Sequence, residues 1–213
     1  MQTKCDIYFS KIPANALVSE LVPAERNAEL MSVKNECLCL EKYWSWRTLE
    51  FALLHSFGYK MSDLIFSRSQ NGKWLCDKCF FSLSHSGGYV AVAVSNTQVG
   101  IDIEDVLAFE EKCKDSTVLK RMRRHIAGKS EPYPKTPFEL LKIWTQKESI
   151  FKCKSEKSFN PAKIELTEDV ESLRLTHENS DFLCSVTGKD IKKSVFYYYN
   201  GEETSRIEDI VWI

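Results

Sequence analysis

The sequence predicts an α+β fold, and three observations carry that expectation. The first third repeats apolar residues every three to four positions, the period of a helix with one buried face; short apolar runs broken by turn residues follow, as strands do. Both kinds of pattern occur before and after about residue 100. With 213 residues, 43% of them hydrophobic, the chain has enough apolar material for one large core or two small packed ones.

Residues 21–60 read as helical, with Tyr43, Trp46, Leu49, Leu53 and Phe57 on one stripe and Gly58 as a natural stop. Residues 63–76 read as a strand and a turn at Asn71-Gly72, and residues 79–88 (CFFSLSHSGG) as a further strand ending in glycines. YVAVAVSNTQVGIDIE, residues 89–104, holds two strand-like runs joined by Asn96-Thr97-Gln98, most simply a hairpin. Residues 105–135 are polar, with Lys120, Arg121, Arg123, Arg124 and His125 clustered and a proline-rich exit, and are expected to be a flexible insertion or linker. A helix then opens at Thr136, with Pro137 at its first position and Glu139 placed to complete a capping box. Its buried side is expected at Leu140, Ile143, Trp144, Ile150 and Phe151, while Glu148 and Lys152 share a face one turn apart. Strand-like runs follow at 162–167, 181–186, 194–200 and 208–213.

Net charge is -1, so bulk electrostatics favours neither nucleic acid nor anionic membrane. There is no charged start followed by a long apolar run, and nothing approaches the ~20 apolar residues of a membrane span, so a cytoplasmic location is expected. The eight cysteines are scattered and expected to be free thiols. Cys76 and Cys79 have the spacing of half a zinc site, but no second pair completes it; the competing reading is a reduced turn.

The chemistry centres on VGIDIE, residues 99–104. On a strand Ile101 and Ile103 face one way while Asp102 and Glu104 face the other, and two like charges so placed call for opposite charge, protonation or a metal. A hard divalent cation is the economical answer, although a half-exposed strand would also tolerate both acids. Ser84, His85 and Ser86 end a strand beside glycines, where hydroxyls, imidazole and backbone could hold a phosphate; alternatively His85 is structural. Glu148 with Lys152 adds a third carboxylate, or a routine surface ion pair, and Gly72-Lys73 puts an ammonium group at a turn.

Together these stretches resemble the 4'-phosphopantetheinyl transferases, in the single-chain, two-lobed form named for surfactin synthetase activation. The resemblance stands on Gly100-Ile101-Asp102-Ile103-Glu104, on Trp144-Thr-Gln-Lys147-Glu148-Ser149-Ile-Phe-Lys152 about forty residues later, and on the preceding Leu83-Ser84-His85-Ser86-Gly87, and it covers about residues 45–160. It implies two similar α+β lobes related by a pseudo-twofold axis, each an antiparallel sheet packed on a long helix: an N-terminal lobe over 1–100 and a C-terminal lobe over 101–213. It also implies transfer of the 4'-phosphopantetheine arm of coenzyme A to a serine of an apo acyl or peptidyl carrier protein, with release of 3',5'-adenosine bisphosphate.

By matching position, Asp102, Glu104 and Glu148 would bind magnesium, with manganese the alternative. Glu148 would take the serine proton and Lys152 would stabilise the departing phosphate. Ser84, His85 and Lys73 would hold coenzyme A, with Arg47 the nearest match to the family's N-terminal basic residues. Lys120, Arg121 and Arg124 could dock an acidic carrier, and a monomer without nucleic-acid or membrane partners is expected. The chain departs from the family where a glycine-containing turn usually follows Lys152: here it reads KCKSEKSF, which leaves contacts near Lys157 open. Two other functions stay open, a non-catalytic relative that binds coenzyme A or a carrier protein, and a magnesium-dependent hydrolase of a nucleotide pyrophosphate.

Overall fold

Two sheets lie face to face between two long helices. The computed structural model of the chain describes residues 2–21, 23–70, 72–128, 131–155, 158–208 and 210–213. The elements are β1 (Cys5–Lys11), α1 (Ala24–Met31), α2 (Glu36–Phe57), β2 (Phe66–Arg68), β3 (Trp74–Cys76), β4 (Phe80–Ser86), β5 (Tyr89–Ser95), β6 (Val99–Asp105), α3 (Val106–Cys113), α4 (Ser116–Ile126), α5 (Pro137–Lys154), β7 (Val170–His177), β8 (Ser180–Gly188), β9 (Val195–Tyr199) and β10 (Thr204–Ile207). The first sheet has the order β10-β9-β1-β5-β4, the second β6-β8-β7, and β2-β3 form a separate pair. The class is α+β, as expected, and among the described residues the strand pairs are antiparallel except β1 and β9, which run parallel. No hairpin constrains that pair, because β9 reaches β1 only after the chain has built the second sheet.

Alternation along the strands sets the layers. Tyr8, Phe81, Val92 and Val94 meet Trp46, Leu49 and Leu53 of α2 on one face of the first sheet. Ile7, Phe9, Ala91 and Ala93 on its other face meet Ile101, Ile103, Leu173, Cys184 and Val186 of the second sheet. Leu140 and Leu141 of α5 then close over Leu183 of β8 beside Val106 and Phe109 of α3. Both long helices begin and end on local signals. Asn35 caps α2 by accepting from the Leu38 amide, and Gly58 ends it in a left-handed conformation at φ 72°. Thr136, Pro137 and Glu139 form the expected capping box at the start of α5.

Several expectations are corrected. β5 and β6 are not a hairpin: both edges of β5 are taken, by β1 and β4, so β6 crosses to the second sheet and pairs with β8. Residues 106–126 hold two helices rather than a flexible insertion. Asp105 and Asp115 cap them, accepting from the amides of Ala108 and of Thr117 and Val118. Their charge lies outward, while Val106, Phe109, Cys113 and Ile126 are buried. Residues 161–163 make one 3₁₀ turn instead of a strand, and the last residues contribute only a bridge between Trp212 and Leu173.

Strands β1, β7 and β10 were not anticipated, and residues 100 and 101, where the two lobes were expected to divide, both lie within β6. On α5 the buried residues include Thr145, Lys147 and Ser149, while Ile143, Trp144 and Phe151 are only half-buried. At the β2–β3 turn Gly72 has φ 82°, and Asn71 lies outside the described residues, as do Glu156 and Lys157 of the KCKSEKSF stretch. All eight cysteines are free thiols. Among the described residues no helix is long and apolar enough to cross a membrane.

Candidate functional site

The site begins with a missing side chain. A Cβ at Gly100 would stand 1.9 Å from the Ser149 carbonyl oxygen and 2.6 Å from the Cys153 amide nitrogen, so α5 lies on β6 where only glycine fits. Small hydroxyl residues seat the same helix on β8. Thr145 Oγ1 and Ser185 Oγ are 2.7 Å apart, Ser149 Oγ and Thr187 Oγ1 likewise, and Ser172 Oγ lies 2.9 Å from Ser185 Oγ. These buried polar atoms satisfy one another, so this part of the helix meets the sheet through polar contacts beside the apolar one of Leu140 and Leu141 with Leu183. Ile101 and Ile103 face the first sheet, so Asp102 and Glu104 turn toward α5, where Glu148 and Lys152 project one turn apart.

The outer edge of β6 is held by serine side chains. The amides of Ile101, Ile103 and Asp105 donate to the hydroxyls of Ser82, Ser84 and Ser86 on β4, at 3.0, 3.2 and 3.1 Å. Ser84 Oγ in turn donates to Asp102 Oδ1 (2.8 Å) and Ser86 Oγ to Glu104 Oε2 (3.0 Å). Trp144 Nε1 donates to Glu104 Oε1 at 3.2 Å, and Lys152 Nζ to Asp102 Oδ1 at 2.7 Å and to Ser84 Oγ at 3.2 Å. Asp102 is 4% exposed, and its second oxygen, Oδ2, is buried with no hydrogen-bond partner among the described residues.

Burial and crowding shape the charges. Burial pushes the Glu148 carboxyl up to about 7; Lys152 opposes the shift, and Asp102 and Glu104 add to it. Glu104 is raised by burial and by Asp102. For Lys152 burial works against the charge, but Asp102 and Glu148 outweigh it and raise its pKa. Three carboxylates of this kind supply the oxygen ligands that a hard divalent cation takes. Among the described residues no three acids, histidines or cysteines are gathered into a ready-made metal cage. The orphaned Asp102 oxygen, with Glu104 and Glu148 both favouring protonation, nonetheless fits a group that gains from a cation.

Ser84 and His85 do not act side by side. Strand alternation sends Ser84 to Asp102 and His85 to the α2 side, where Nδ1 lies 3.1 Å from Glu41 Oε2. Burial, with Lys152, Lys42 and Arg26, lowers the His85 pKa to about 4, so the ring is neutral near pH 7 and this contact is not an ion pair. Lys73 is brought in: its Nζ donates to the Lys152 carbonyl, and both lysines line a cavity of 320 Å³ with Trp74, Ser82, Leu83 and Phe151. Burial, then the neighbouring Lys152, lowers the Lys73 pKa. Arg47 is not part of this group; it pairs with Glu50 on α2. Lys120, Arg121 and Arg124 are exposed on α4, with none of the three in an ion pair among the described residues.

Lys147 is the residue whose part the sequence did not reveal. It is fully buried, and its Nζ reaches the carbonyls of Ile126 and Pro161, each at 2.9 Å, and Glu131 Oε1 at 2.8 Å. It therefore ties the end of α4 and the segment after α5 to the helix that carries Glu148. The available signal was its place between Ile143 and Ile150, one turn away on either side, on an otherwise apolar face.

Residues 98–198 match the family model described as the 4'-phosphopantetheinyl transferase superfamily. The chain is also 30% identical over 103 residues to the 4'-phosphopantetheinyl transferase psf-1 of Bacillus pumilus, a match covering 45% of this chain and 42% of that protein. The chain thus spans less than half the length of the curated relative it matches.

Proposed function

We propose, from the premise that residues 98–198 of this chain belong to the 4'-phosphopantetheinyl transferase superfamily, that it moves the 4'-phosphopantetheine arm of coenzyme A to a serine of an apo acyl or peptidyl carrier protein. The observation that carries the reading is the meeting of Asp102 and Glu104 with Glu148 and Lys152 beside the cavity lined by Lys73. The carrier serine Oγ attacks the β-phosphorus of the coenzyme A pyrophosphate. A new O–P bond forms, the bond from that phosphorus to the bridging oxygen breaks, and 3',5'-adenosine bisphosphate leaves. Glu148, with a pKa pushed up to about 7, is suited to take the serine proton near neutral pH. Lys152 and Lys73 bring two ammonium groups to the pyrophosphate, where charge develops on the leaving oxygen. Ser84 and Ser86 hold Asp102 and Glu104 toward α5. Asp102, Glu104 and Glu148 would hold magnesium or manganese, which when bound screens the phosphate charges.

Neutral His85 can contribute a hydrogen bond to coenzyme A without adding charge, and Arg47 would have to leave Glu50 to do so. Exposed Lys120, Arg121 and Arg124 suit an acidic carrier helix. Two lobes with pseudo-twofold symmetry, meeting at the site as a monomer in the cytoplasm, complete the reading. The presence of one long helix against each of two sheets supports the lobes.

The test is the intact mass of an apo acyl carrier protein after incubation with this protein, coenzyme A and magnesium, with an EDTA control. A gain of about 340 Da, the mass of the transferred arm, that is lost in EDTA is expected. Coenzyme A consumed at an unchanged rate without any carrier would instead indicate a hydrolase. No gain with acyl, peptidyl or polyketide carriers would overturn the transferase reading.

A further inference from the structure

A pair of thiols lies apart from the residues used above. Cys76 ends β3, Cys79 immediately precedes β4, and Asp77 and Lys78 turn the chain between them. Cys79 Sγ donates to Cys76 Sγ across 3.8 Å. Cys79 is 6% exposed, whereas Cys76 is only half-buried and open to a small reagent. We propose that Cys76 and Cys79 form an oxidisable dithiol that exchanges with low-molecular-weight disulfides and closes an intrachain disulfide.

The two thiols differ as an attacking and a resolving cysteine should. The hydrogen bond from Cys79 pulls the Cys76 thiol down to about 6, against its partial burial, and the backbone amides of Lys78 and Cys79 assist. The same bond, with burial, holds the proton on Cys79. Cys76 thiolate attacks one sulfur of the external disulfide, forming a mixed disulfide and expelling one thiolate. Cys79 then gives up its proton to solvent and attacks the Cys76 sulfur, expelling the second thiolate. The protein loses two electrons and two protons, and the external disulfide takes up both as two thiols.

Competition from the other cysteines is weak where they are buried. Cys5, Cys113, Cys153 and Cys184 are buried, and burial pushes each of their thiols up. Cys37 and Cys39 lie on α2. The consequence of closure is local: among the described residues β2 and β3 join neither larger sheet, and the 76–79 turn is their chain connection to β4. A disulfide there would pin the hairpin beside Lys73 and Trp74 to the strand that carries Ser82 and Ser84.

The test uses the intact chain with oxidised glutathione at pH 7, followed by iodoacetamide and trypsin digestion without reduction. Cleavage after Lys78 separates Cys76 from Cys79 unless they are bridged. A linked peptide pair about 2 Da lighter than the sum of its two thiol peptides is expected. In Cys79→Ser a glutathione adduct should persist on Cys76, and Cys76→Ser should give neither bridge nor adduct at Cys79. Full alkylation of both cysteines, an adduct confined to Cys37, or a glutathione adduct on Cys76 that persists in the unaltered protein would each overturn the proposal. None of these readouts depends on transferase activity.

Discussion

Gly100→Ala separates a tight seat of α5 on β6 from mere proximity, because the two cases predict opposite signs. The Gly100 backbone is not in the left-handed region, so in open space the substitution would stabilise the strand by roughly 0.5–1 kcal/mol through reduced chain entropy. The added carbon instead lies 1.9 Å from the Ser149 oxygen, 2.6 Å from the Cys153 nitrogen and 2.9 Å from Cys153 Cβ. Comfortable carbon contacts lie near ~3.5–4.0 Å, so the helix must move by more than about 1 Å, and the two closest atoms are backbone atoms that no rotamer change can remove. Overpacking of this kind costs about 1–3 kcal/mol, and backbone contacts place it near the upper end. For a chain of this size, roughly 3 kcal/mol lowers Tm by roughly 6–12 °C. The turn that moves runs from Glu148 to Lys152, and a displacement of about 1 Å at reacting groups can cost ~10²-fold in rate. Scanning calorimetry reads the first effect and the carrier-mass assay the second. A Tm equal to or above that of the unaltered protein, with transfer intact, would refute the close seat.

Lys147→Met should lower stability by about 3–5 kcal/mol in denaturant unfolding, because it strands Glu131 and two carbonyls around a buried site. Retention of full stability would show that Lys147 is not a structural tie. Glu148 gives a pH signature in chelator. The fold holds the Glu148 proton more tightly than the unfolded chain does, so the stability this group contributes is fully present below pH 4.5 and is lost as pH rises to about 7. The full difference is roughly 3 kcal/mol. Glu148→Gln should flatten that slope, exceeding the unaltered protein in Tm at pH 8 while matching it near pH 4; parallel curves would contradict the assignment. Charge reversal at Arg121 and Arg124 should raise the KM for the carrier protein and leave that for coenzyme A unchanged, and equal changes in both would argue against docking on α4.

Local chemistry was legible in the sequence, and spatial partnership much less so. The capping box at Thr136, the stop at Gly58 and the shared face of Asp102 and Glu104 each depend on neighbours within a turn or a pleat. Choosing β8 as the partner of β6 depends on which edges remain free once β5 lies between β1 and β4, which no local pattern encodes. The polar 105–126 segment misled because its charges were conspicuous and its few buried residues, Val106, Phe109, Cys113 and Ile126, were spaced over two short helices. At the site, Ser84 was recognisable as a residue of interest, but its tasks of accepting from the Ile103 amide and orienting Asp102 emerge only when two sheets meet.

The serine row on β4 also bears on how this chain avoids sticking to copies of itself. β6 is the terminal strand of its sheet, and a terminal strand ordinarily presents a row of unused amides on which a foreign strand can template. Here the amides of Ile101, Ile103 and Asp105 are already engaged by Ser82, Ser84 and Ser86. The hydroxyls therefore act as side-chain stoppers that end the ladder without adding a strand. Two of those three hydroxyls, on Ser84 and Ser86, also aim acids of the site, so one row of side chains both orients the carboxylates and occupies the free edge of the strand that carries them.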